Sequence, residues 1–152
     1  MEKILTICER IQKLSGIPVT LFNRKGEMLA AFPPVSGSFF RSDALEMLFK
    51  DYSLHKRDKL HPLISFVAPG YFLGVCQLGD DIFAAIGFVS PMPHTRQEVL
   101  SISTRMIVPE ALQQYCDRMM RMPNFSLEQI KDLIMSLVEL AGGRALREED
   151  IL

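Results

Sequence analysis

The chain has 152 residues, of which 48% are apolar, and its formal net charge is -1 with an isoelectric point near 6.3. This length accommodates one domain with a substantial core, and the charge balance excludes a general attraction to nucleic acid. No stretch approaches the roughly 20 apolar residues of a membrane span, and no signal peptide is visible, so we expect a cytoplasmic protein. The cysteines are odd in number and lie far apart in apolar stretches, which predicts reduced, buried thiols at Cys8, Cys76 and Cys116.

The first third of the chain predicts a helix, a β-hairpin and a second helix. Apolar residues at helical spacing over residues 3–14 indicate an amphipathic helix. Residues 19–22 and 28–32 are typical of two strands joined by a polar turn. A short helix follows, with Ser42 as its N-cap and with an apolar face made of Leu45, Leu48, Phe49 and Tyr52.

The strongest β signal lies in the middle of the chain. After a polar loop at 55–61 and a strand at 63–67, two apolar strands over 71–78 and 82–89 flank a short turn at 79–81. The two aspartates of this turn, Asp80 and Asp81, are typical of such a loop. Both faces of the hairpin are apolar, so both must be covered by other parts of the chain or by a partner.

The register of this hairpin follows from the turn. The predicted opposite pairs, all on one face, are Leu78–Ile82, Cys76–Ala84, Gly74–Ile86 and Phe72–Phe88.

Helices follow to the end of the chain. Thr95–Glu98 and Ser126–Gln129 match capping boxes, in which each end residue satisfies a free backbone N–H of the other. We predict helices after Thr95, over 109–121 and over 127–141, and the start of a further helix at 147–152.

This order of elements predicts an α+β fold with an antiparallel sheet of about five strands flanked by helices and a C-terminal helical segment. The general shape is similar to PAS- and GAF-like sensor modules, by analogy only. We expect a single domain over 1–152, with a helix and the sheet in 1–93 and C-terminal helices in 94–152.

Catalytic chemistry has no signal in the sequence. No nucleophile elbow, zinc-protease motif or phosphate-binding loop occurs, so we do not expect an enzyme. We interpret His55, His61 and His94 as solvated loop residues, and expect neither a metal nor a cofactor. The basic loop 56–59 is interpreted as a solvated charge cluster.

One face of the central hairpin carries small residues inside a ring of large ones. This arrangement either admits a helix closely or leaves an apolar pocket for a small ligand. The second alternative predicts a ligand site formed by Phe32, Phe66, Phe72, Gly74, Cys76, Ala84, Ile86 and Phe88.

Three segments together, 14–19 with Gly26, 85–93 and 137–152, resemble the N-terminal sensor domains of bacterial AraC-type transcriptional regulators. The resemblance implies a cytoplasmic domain that senses a small ligand, forms a homodimer and controls a DNA-binding domain. The helix-turn-helix motifs of that family do not occur in these 152 residues. We therefore expect a part excised from a longer regulator, with no direct contact to nucleic acid.

The helix over 127–141 has apolar residues on more than one narrow stripe, which suggests a dimer interface at Leu133, Val138 and Leu140. Alternatively, the neighbouring helix 109–121 covers these residues. The alternative function is a non-catalytic dimerisation or scaffold module of roadblock- or profilin-like shape that takes no ligand.

Overall fold

The computed structural model describes residues 2–34, 40–55, 63–68, 71–89 and 95–142. The predicted helices and strands within these ranges are confirmed, with ends that move by a few residues. Its elements in chain order are α1 (Glu2–Ser15), β1 (Val19–Phe22), β2 (Met28–Phe32), α2 (Ser42–His55), β3 (Leu63–Ala68), β4 (Tyr71–Gly79), β5 (Ile82–Val89), α3 (Arg96–Ser103), a 3-10 turn (Pro109–Ala111), α4 (Leu112–Arg121) and α5 (Leu127–Gly142). The helix predicted at 147–152 lies outside the described residues.

The strands form one antiparallel sheet in the order β2-β1-β5-β4-β3. The first hairpin therefore lies beside β5, the last of the described strands, and β5 is the central strand of the sheet. The predicted α+β class with an antiparallel sheet is confirmed.

The predicted register of the central hairpin is confirmed in its middle, where Cys76 lies opposite Ala84 and Gly74 opposite Ile86. It is wrong at both ends, because the structure replaces Leu78–Ile82 by Gly79–Ile82 and Phe72–Phe88 by Phe72–Val89. A bulge shifts the pairing at each end, since one strand there contributes an extra residue. At the second of these bulges Gly87 has φ 135°, a conformation that a residue with a side chain rarely adopts.

Helix α2 begins at Ser42. The prediction that Ser42 is the N-cap of this helix is wrong. The Ser42 hydroxyl donates a hydrogen bond to the carbonyl oxygen of Gly26 at 3.1 Å, and the first helical bond runs from Leu45 N–H to the Arg41 carbonyl. Gly26 has φ +81°, and a Cβ at this position would lie 2.5 Å from the Ser42 carbonyl oxygen. The turn of the first hairpin therefore packs directly against the start of α2, at a distance that only glycine permits.

Both predicted capping boxes are confirmed. The Thr95 hydroxyl accepts the backbone N–H of Glu98, and the Glu98 carboxylate accepts that of Thr95, each at 3.2 Å. Ser126 and Gln129 exchange the same two bonds, at 2.8 and 3.2 Å. These bonds satisfy backbone groups that have no partner inside the helix, and so fix where α3 and α5 begin.

The sheet lies between two helical layers, as its two apolar faces require. On the first face, α1 and α5 cover a core that includes Val19, Leu21, Cys76, Ala84 and Ile86. On the second face, α2 and α4 cover a core that includes Phe22, Leu73, Val75, Phe83 and Ala85. None of the helices described here combines the length and apolar character that crossing a membrane demands.

Candidate functional site

The predicted ligand residues lie mainly on the first face of the sheet. Gly74, Cys76, Ala84 and Ile86 form two directly opposite pairs at its centre, and Phe32 joins the same core from β2. Phe66, Phe72 and Phe88 lie in β3, β4 and β5, but their side chains are outside the part that the structure describes. The structure therefore brings together the small residues and one of the expected aromatic walls.

Helix α5 fills the space above these small residues. A Cβ at position 74 would lie 2.3 Å from Ile134 Cδ1 and 3.1 Å from Ile134 Cγ1, so the isoleucine side chain rests directly on the glycine. Ile130 and Leu137, on the same side of α5, are also fully buried in this core. Of the two alternatives left open by the sequence, close helix packing is the arrangement present. A ligand-binding role for this face stays a prediction.

Helix α1 completes the cover of the first face with Ile4, Cys8 and Ile11. Burial raises the pKa of the Cys8 thiol to about 12. Burial, and after it the neighbouring Cys8, also raises the pKa of Cys76. Because the thiolate is the reactive form of cysteine, these side chains behave as small apolar groups. The prediction of free, buried cysteines is confirmed for all three.

Aromatic side chains fill the second face. Among the residues that the structure describes, the Phe83 ring has three aromatic neighbours, with centroid distances of 5.0 Å to Phe49 and 5.8 Å to both Phe22 and Tyr52. Tyr115 is fully buried, and its hydroxyl donates a hydrogen bond to the Gly87 carbonyl at 3.1 Å. Such tilted and edge-on rings are the favoured packing of aromatic side chains, so this face is a packed core as well.

A polar cluster at one end of the sheet was not foreseen from the sequence. Asp81 does lie in the predicted turn, but its Oδ1 also accepts hydrogen bonds from the backbone N–H and the Nε of Arg24, each at 3.0 Å. The Arg24 guanidinium donates a further bond to the Asp80 carbonyl and lies 5.8 Å from the centre of the Phe49 ring. Arg24 and Asp81 are 57 positions apart, so no local spacing pattern signals their contact.

This cluster has a structural explanation. The hydrogen bond from the Arg24 backbone, and then that from its guanidinium, lower the pKa of Asp81. The carboxylate is therefore charged at neutral pH and ties together the turns of the two hairpins. Both side chains are about half exposed, and their ion pair is of the surface kind that contributes little to stability.

Large aliphatic side chains remain exposed on several helices, among them single residues on α1 (Leu14) and α4 (Met120). On α2, Met47 is 69% exposed and Leu54 is 83% exposed. On α5, Leu140 is 52% exposed, whereas Leu133 is half-buried and packs against the core of the first face. The side chain of Val138 lies outside the described part, and the predicted interface on α5 stays a prediction.

The outer face of α2 was missed in the sequence, although a signal was present. Met47 and Leu54 are seven residues apart, which places them on one line of a helix. The inward stripe of Leu45, Leu48 and Tyr52 had already accounted for the burial of this helix. Met47 and Leu54 lie on the opposite side of the helix, where no element of the predicted domain covers them.

No metal-binding group is visible in the described ranges, where no three His, Cys, Asp or Glu side chains are placed to hold an ion. His61 and His94 lie outside the described residues, and the side chain of His55 is not described either. An open depression of about 330 Å³ on α5 is lined by Glu128, Lys131, Asp132 and Met135. It is shallow and of mixed charge, and none of the predicted ligand residues lines it.

Comparison with known proteins adds little to this description. No family model matches the chain, and no curated protein matches it. A solved structure described as MglB with a tetrameric arrangement aligns over 93% of this chain and 90% of that chain, with 11% identity and a TM-score of 0.41. A likeness at this level does not establish a shared fold, and no functional property is carried over from it.

Proposed function

We propose that this chain is a non-catalytic module that associates with a second copy of itself. The observation that carries the proposal is the exposure of Met47 and Leu54 on α2, in a domain whose two sheet faces are already filled by its own side chains. Isolated apolar residues are common on protein surfaces, whereas aligned ones favour a contact with another molecule.

The position of this pair on α2 supports a protein contact. Leu45 and Tyr52 are fully buried against the second face of the sheet, and Met47 and Leu54 point to the opposite side of the same helix. Their spacing of seven residues places them two turns apart, about 10 Å along the helix axis. A helix laid against this line by a partner would bury both side chains at once.

A two-fold axis makes the second copy the simplest partner. In such a dimer the same patch faces itself, so one surface patch suffices to form the contact. The α5 surface is the weaker candidate for this interface, because Leu133 is engaged in the domain's own core, which leaves Leu140 as the exposed one of the two predicted side chains that the structure describes.

Sedimentation velocity across the micromolar range tests the proposal. We expect a dimer whose dissociation constant rises in the double variant Met47→Glu/Leu54→Glu. Full burial of each side chain is worth about 1.5–3 kcal/mol, and each contact occurs twice in a two-fold dimer, so the increase should be roughly 10,000-fold or more. The matched control is Leu14→Glu, which changes a leucine on α1 that is 88% exposed and should leave the dimer intact.

Two outcomes distinguish a failure of self-association from an interface on a different surface. A wild-type chain that stays monomeric at every concentration contradicts self-association. A dimer that survives the α2 changes but dissociates with Leu140→Glu retains self-association and moves the interface to α5. Far-ultraviolet circular dichroism of each variant shows whether a loss of the dimer reflects unfolding instead.

As a second proposal, the chain is the ligand-sensing domain of an AraC-type regulator. The observation in its favour is that Gly74, Cys76, Ala84 and Ile86 share one face at the centre of the sheet. A ligand there requires α5 to move, since Ile134 occupies the space above Gly74. A metabolite that raises the melting temperature, with an effect abolished by Ala84→Phe in a folded protein, supports this function. If no metabolite acts and Ala84→Phe only destabilises, by about 1–3 kcal/mol, the self-association module is favoured.

A further inference from the structure

We draw no further inference here: the strongest candidate, the outward face of α2 that carries Met47 and Leu54, already belongs to the proposed self-association, and nothing in the structure shows what covers it.

Discussion

The contact between Gly74 and Ile134 gives the sharpest test of the packed first face. Replacing a strand glycine by alanine ordinarily stabilises a protein by about 0.4–1 kcal/mol when the space is free. At this position the new Cβ would lie 2.3 Å from Ile134 Cδ1, inside a core where Ile134 is fully buried. Overpacking of this kind costs about 1–3 kcal/mol. We therefore expect Gly74→Ala to lower the free energy of unfolding by about 1–2 kcal/mol.

A compensating change identifies the cause of this loss. Ile134→Val removes the Cδ1 methyl group that meets the new Cβ, and alone it should cost about 0.5–1.5 kcal/mol. In the double variant the added methyl takes the place of the deleted one. We expect its loss of stability to be smaller than the sum of the single losses by about 1 kcal/mol or more. Ile130→Val is the matched control, because Ile130 is an equally buried isoleucine of α5 that is not among the nearest neighbours of position 74.

Urea unfolding, followed by circular dichroism at one fixed protein concentration, measures all of these variants. The changes should appear in the midpoint and leave the slope constant. A neutral or stabilising Gly74→Ala, or losses that simply add with Ile134→Val, would refute the close packing of α5 on the sheet. The space above Gly74 would then be open, and the sensor proposal would gain over the self-association module.

Three further predictions concern single groups. The folded state lowers the pKa of Asp81, so its carboxylate stabilises the fold at pH values above the ordinary aspartate pKa, and this stabilisation is lost as the pH falls through the lowered pKa. The free energies of unfolding of wild type and Asp81→Asn should therefore differ at pH 7 and converge in strong acid. A difference that does not change with pH contradicts this role of Asp81. Cys8 and Cys76 should resist iodoacetamide at pH 8 in the native protein and react fully in urea, as mass spectrometry will show; rapid native labelling would place them outside the core. Tyr115→Phe should cost about 1–3 kcal/mol in urea unfolding, because it leaves the buried Gly87 carbonyl without its hydroxyl donor, and an unchanged midpoint argues against this bond.

Local patterns were sufficient to predict the helices and strands that the structure describes, apart from their exact ends. Helical periodicity and two capping boxes located α1, α3 and α5, since a cap depends on residues only three positions apart. Strand alternation and a short turn gave the central pairs Cys76–Ala84 and Gly74–Ile86. The same alternation showed that both faces of the hairpin are apolar and need cover. The bulges escaped prediction, because the pairing at the hairpin ends depends on the backbone conformation at the turn and at Gly87.

The tertiary structure alone decided what covers each face. Alternation states which side chains point the same way, but the cover of Gly74 comes from Ile134, sixty positions later in the chain. The pairing of β5 with β1 and the contact of Arg24 with Asp81 also join residues that are far apart in the sequence. The exposure of the outer face of α2 follows from the packing of this helix on the sheet, because whether a side chain is exposed depends on all the segments that pack around it. The periodicity of apolar residues determines whether a segment forms a helix or a strand. Whether a face of the sheet is filled or leaves an open pocket depends instead on which distant segment packs on that face.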